Sequence, residues 1–102
     1  RADADVLDEI AGDLRTRAVE ATGDGVDVAI LAASPSAVRR RVLRRVALDA
    51  GSPATDLFAL HVDELERLLV DWHGQGPIML PGDVTATRHD GVIRFACTRG
   101  EA

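Results

Sequence analysis

The stretch S-P-S-A-V-R-R-R-V-L-R-R-V-A-L-D-A-G, Ser34 to Gly51, packs five of the chain's twelve basic residues into seven positions. Its apolar residues decide what it can become. Val38, Val42, Val46 and Ala50 recur every four residues, with Leu43 and Ala47 beside them, so at about 100° per residue they share one half of a helix. Arg40, Arg41, Arg44 and Arg45 spread over roughly 140° of the other half. Ser34 reads as an N-cap, Pro35 suits the first helical position, and Gly51 ends the helix, which predicts helix over 35–50. Arg39 falls on the apolar side, in the first turn, where its stem can lie along the core and lift the guanidinium into water. Leu48 alone interrupts the basic face.

Any fold of this chain must therefore bury one side of that helix and turn a row of guanidinium groups outward. Two uses of the row stay open at this level. The arginines can form a solvated face that pairs with carboxylates elsewhere in the chain. They can also form a phosphate-binding face, because guanidinium meets phosphate oxygens bidentately and a row of such groups displaces counterions from nucleic acid.

The 102 residues suffice for a single domain, here 1–102, with a modest core. The net charge of −5 argues against a general nucleic-acid binder. Its distribution says more: Asp3, Asp5, Asp8, Glu9 and Asp13 crowd the beginning, whereas Ser34 to Leu48 carries five positive charges and no negative one. All the basic residues are arginine, in keeping with a high-GC coding genome. No apolar run approaches the ~20 residues of a membrane span and no signal-peptide pattern opens the chain, so a cytoplasmic domain is expected. Because the chain starts on Arg1 rather than methionine, it is expected to be a piece of something longer. The lone Cys97 falls in an expected strand and reads as a buried, inert thiol.

Val6, Leu7, Ile10, Leu14, Ala18 and Ala21 recur at three- and four-residue steps and predict a first helix over 3–21, capped by Asp3 or Asp5. The acidic residues of its first turns suit the positive end of the helix dipole. Val26 to Ala33 reads as an extended segment running into a helical turn before Pro35. Phe58, Val62, Leu65, Leu68, Leu69 and Trp72 predict another helix over 58–73, with His61 at the rim of the core and Trp72 a core residue with a polar tip. Asp90-Gly91 is a strong two-residue hairpin signal joining strands 84–89 and 92–97. Pairing outward from it puts Val84, Ala86, Ile93, Phe95 and Cys97 on one face and Thr85, Thr87 and Arg94 on the other. A third strand over 77–80 precedes a turn at Pro81 and Gly82. A simple two-residue turn there would point Met79 inward and Ile78 and Leu80 outward, so a longer turn or a bulge is expected. The predicted architecture is α+β: three helices followed by a small antiparallel β-meander.

No glycine-rich phosphate loop, zinc-ligand spacing or Ser/His/acid or Cys/His set stands out. The order and spacing of four segments carry a resemblance instead. A-V-R-R-R-V-L-R-R at 37–45, L-H-V-D-E-L at 60–65, L-P-G at 80–82 and R-H-D-G-V-I-R-F at 88–95 together resemble the domain that follows the catalytic domain in tRNA(Ile)-lysidine synthetases. The likeness spans nearly the whole chain. In that family an N-terminal ATP-pyrophosphatase domain adenylates the wobble cytidine of an isoleucine tRNA with a CAU anticodon and joins lysine to it. The S-G-G-x-D-S loop of that domain is absent here, so the resemblance implies no catalytic residue, ATP or magnesium site in this chain; those belong to the catalytic domain. What it implies is a domain that holds the tRNA, with the family's own catalytic domain as neighbour and no membrane or DNA partner. Under that implication Arg40, Arg41, Arg44 and Arg45 are the expected phosphate contacts, with Arg88 and Arg94 as further candidates. A protein-interaction module, using the arginines to dock onto an acidic surface, is the competing reading. A DNA-binding helix-turn-helix is disfavoured, since the helix after Gly51 is acidic.

Overall fold

A computed structural model describes residues 2–98, with side chains from residue 5 onward. The elements run α1 (Ala2–Glu20), β1 (Val26–Asp27), α2 (Val28–Ala32), α3 (Ser36–Ala50), α4 (Ala59–Val70), β2 (Ile78–Leu80), β3 (Val84–His89) and β4 (Val92–Cys97). The α+β class agrees with the sequence reading, but the described residues form four helices rather than three and four strands rather than three. The addition comes from Val26–Ala32. Val26 and Asp27 pair with Ile93 and Val92, Asp27 Oδ1 accepts from the Ile30 amide, and a five-residue helix follows at once. The extended-then-helical character was readable there, whereas the pairing was not, because its partners, Ile93 and Val92, lie at the far end of the chain.

All four strands are antiparallel in the order β1-β4-β3-β2. The β3–β4 hairpin closes through Asp90 and Gly91, both at positive φ (54° and 75°), the geometry that lets a two-residue turn match strand twist. Between β2 and β3 the turn takes three residues, Pro81 to Asp83. Leu80 consequently pairs with Val84 and points inward, while Met79 is 68% exposed. That is the longer turn the alternation required.

One face of the sheet, carrying Val84, Ala86 and Ile93, closes against the helices. Leu14, Leu31, Val42, Leu43, Leu65 and Leu68 fill the space between. Helix α3 is central: it packs against α1 on one side, α4 on the other, and β4 beneath.

Several local expectations change. Helix α1 is already helical at Ala2, so Asp3 and Asp5 lie inside it, and any cap falls outside the described residues. Its buried stripe runs through Ala11, Leu14 and Ala18, leaving Val6 and Ile10 about half exposed (52% and 46%) and Ala21 outside. Helix α3 begins at Ser36 with Pro35 as its cap residue at φ −58° and ψ 147°, while the Ser34 hydroxyl, one residue earlier, donates back to the Ile30 carbonyl of α2 (3.0 Å). Helix α4 covers Ala59–Val70, shorter than 58–73 at both ends. Leu57, not Phe58, occupies the core there, and Trp72 lies beyond the helix, 43% exposed.

Candidate nucleic-acid interface

Helices α3 and α4 run antiparallel, so the start of one faces the end of the other. Ser36, Arg39 and Arg40 of α3 all reach Glu66 of α4. The Ser36 hydroxyl and Arg39 Nε donate to Glu66 Oε2, and Arg40 Nη1 donates to Oε1, each at 2.7 Å. Arg40 Nη2 also meets Asp63 at 2.7 Å. Burial pushes the Glu66 carboxyl upward, but the hydrogen bonds from Ser36, Arg40 and Arg39 outweigh it and hold the group below the usual glutamate range. Arg40 is raised correspondingly, first by Glu66 and then by Asp63. This end of the face is a clamp between two helices.

Further along α3 the arginines are less satisfied. Arg41 Nε and Arg45 Nη2 share one carboxylate, the half-exposed Asp8 of α1, at 3.4 and 3.5 Å. Arg44 has no carboxylate partner among the described residues. Its Nη1 donates to the Leu57 carbonyl (2.7 Å) and its Nη2 reaches the Ala54 carbonyl (3.5 Å), which fixes the guanidinium in front of the loop leading into α4. Two bonds leave most of its donors unused. The five guanidinium groups of α3 thus face three carboxylates, Asp8, Asp63 and Glu66, and a positive excess remains.

Between α3 and α4 opens a groove of about 350 Å³ lined by Ala37, Arg40, Arg41, Arg44, Ala59 and Val62. Its floor is small and apolar, and three guanidinium groups border it. Arg45 lies off to the α1 side, bordering a separate hollow with Gly12, Arg15 and Thr16.

The remaining candidates sit elsewhere. Arg88 pairs with Ile93 across the hairpin and therefore shares its inward face. Its Nη1 donates to the Leu68 carbonyl (2.6 Å), its guanidinium lies 4.4 Å from the Trp72 ring centroid, and its Nε is buried without a hydrogen-bond partner. The side chain closes the end of α4 against the sheet. Arg94 is exposed on the opposite face of the sheet, donating to Asp24 Oδ2 at 3.2 Å. The six candidates accordingly fall into a set of four along α3 and two isolated residues. Sequence reasoning passed over Arg39 as part of the clamp, and Phe58 with His61 as a paired unit at the start of α4. The signal for the latter pair was their i, i+3 spacing.

Among the described residues no three His, Cys, Asp or Glu side chains group in a way that could hold a metal ion, and no helix is long and apolar enough to cross a membrane.

Fold and surface together define a class: a small α+β domain whose central helix presents an incompletely neutralised arginine groove. Residues 27–95 match the family described as the TilS substrate binding domain. The chain is 52% identical over 96 residues to tRNA(Ile)-lysidine synthase of Streptomyces coelicolor, covering 92% of this chain and 27% of that protein. It is 47% identical over 93 residues to the Thermobifida fusca protein of the same name (91% and 28%), and 36% over 98 residues to that of Leifsonia xyli (93% and 29%). No solved structure matches. The chain belongs to the substrate-binding-domain family of the tRNA(Ile)-lysidine synthases, and it spans little more than a quarter of the length of these relatives.

Proposed function

We propose that this domain holds tRNA for a lysidine-forming ligase, with Arg41 and Arg44 in the α3–α4 groove as the principal phosphate contacts and Arg45 at the flank. The observation that carries the reading is Arg44: fixed by two backbone carbonyls, at the mouth of an arginine-lined groove, with no carboxylate of its own. A cation held in place without a counterion is ready for a phosphate at little cost in side-chain ordering. Arg40 borders the same groove, but its role is to brace α3 against α4. Arg88 and Arg94 lie outside the footprint.

Phosphate contacts orient an RNA without reading its bases. The domain therefore positions the tRNA, and selection of the CAU anticodon together with the ATP- and magnesium-dependent chemistry belongs to the family's catalytic domain, its neighbour in the cytoplasmic parent protein. Acidic α1 residues confine the RNA to the α3–α4 side.

In the full-length protein, R41A/R44A is expected to weaken tRNA binding and to reduce the slope of log affinity against log salt by roughly one unit per lost phosphate contact, about two in all. Unchanged affinity and slope would leave the groove without an RNA role and favour docking onto an acidic protein surface.

A further inference from the structure

The start of α4 is built in an unusual way. A helix normally opens on Ser, Thr, Asp or Asn, whose side chain accepts a hydrogen bond from the first turn. Here the position holds Phe58, which offers no such acceptor and is 57% exposed. Order comes from the other direction: the Phe58 amide donates to His61 Nδ1 at 2.9 Å. That bond requires the imidazole to carry its proton on Nε2. It also brings the imidazole alongside the phenyl ring, with centroids 6.0 Å apart and planes 19° from parallel. An exposed aromatic ring is thereby held at a fixed angle by a second ring, while the adjacent Leu57 fills the core.

Its neighbours are cationic. Arg44 Nη1 is bonded to the Leu57 carbonyl, one peptide before Phe58, and Ala59, one residue after it, lines the arginine groove. The carboxylate-free Arg44 guanidinium is thus fixed to the carbonyl of the very peptide whose amide, that of Phe58, is held by His61, so the flat apolar ring and the cation are anchored to one peptide unit. A single nucleotide has the complementary layout, with a base to stack and a phosphate to pair, provided the base is not already stacked in a helix.

Building on the RNA reading above, we propose that Phe58, steadied by His61, is a stacking platform for one unpaired base of the bound RNA, whose phosphate lies against Arg44 and Arg41. The site then recognises a looped-out or single-stranded nucleotide rather than a duplex, and it favours any base over none without reading its edge.

The test uses the full-length protein with a tRNA transcript and, as second probe, a blunt RNA duplex. F58L is expected to weaken tRNA binding by roughly 5- to 150-fold, the loss of one stacked base, while leaving the salt slope and duplex affinity unchanged. F58W is expected to retain tRNA affinity. Tight tRNA binding by F58L, or an equal loss on tRNA and duplex, would overturn the stacking platform. So would unchanged tRNA affinity with loosened attachment to the rest of the protein by limited proteolysis, which would mark Phe58 as a protein contact. If R41A/R44A lowers the salt slope and F58L does nothing, the platform alone fails; if R41A/R44A also does nothing, the RNA reading fails with it.

Discussion

Glu66 shows how one side chain can decide the character of a whole face. Only 15% of its side chain is exposed, yet three donors from α3 converge on it, and their hydrogen bonds overcome the cost of burying the charge. Removing the carboxylate leaves Arg39 and Arg40 without their shared acceptor, so E66A is expected to cost about 2 kcal/mol of unfolding free energy. The reduced exposure of Arg39 supports a loss of that size, and urea titration of the two proteins measures it. Because the folded state holds the Glu66 carboxyl below its unfolded value, its contribution is complete above the ordinary glutamate pKa and disappears as pH falls through the lowered folded value. E66Q, which does not titrate, is expected to lose that part of the acid-side fall in stability, and an acid titration with the same slope as wild type would contradict the assignment. None of this was legible in the sequence. Glu66 lies outside the apolar stripe of its helix and looks like any solvated glutamate until α3 and α4 are set antiparallel. The snorkelling stem foreseen for Arg39 was half the answer; its guanidinium ends on a carboxylate rather than in water.

At the scale of elements, the hairpin was the most readable part, since Asp90-Gly91 and the alternation around it fix every pair from His89–Val92 to Val84–Cys97. The same counting puts Arg88 opposite Ile93, on the inward face, where it is half-buried against the end of α4. Two glycines separate backbone strain from crowding. A Cβ on Gly91 would meet nothing, but the position sits at φ 75°, so G91A is expected to cost about 1 kcal/mol through conformation alone. At Gly25 a Cβ would lie 2.5 Å from Val92 Cγ1 and 2.9 Å from the Ile93 carbonyl oxygen, so β1 would have to leave β4. G25A is therefore expected to cost more, about 2–3 kcal/mol, and a reversed order in thermal unfolding would contradict the β1–β4 pairing. That pairing explains why the sheet gained a strand: two residues carry too little pattern to announce a strand, and only the proximity of β4 makes them one. Helix α1 itself formed as read, but the start of its apolar stripe was misplaced for a related reason. Its apolar residues outnumber those α3 can cover, and Ala11 and Gly12, small enough for close approach, set the contact instead of Val6 and Ile10.

For the molecule as a whole, the sum of charges misleads and the layout informs. A body of net charge −5, with a radius of gyration of 13.0 Å as expected for about 100 residues, keeps its positive excess along α3 and carries exposed carboxylates on α1. The arginine row was plain in the sequence. Which of its members are spent internally was not, because Arg40 and Arg44 occupy equivalent places on a helical wheel and differ only in what α4 and the loop before it bring opposite them. The central claim, that RNA lies in the groove between α3 and α4, is tested most directly by photocrosslinking in the full-length protein. p-Benzoylphenylalanine is placed at Ala37 or Ala59, exposed residues lining the groove, and, for comparison, at Ala96 on the far face of the sheet. Irradiation with bound tRNA is expected to give RNA adducts from Ala37 and Ala59 and none from Ala96; adducts from Ala96 with none from the groove would place the RNA elsewhere.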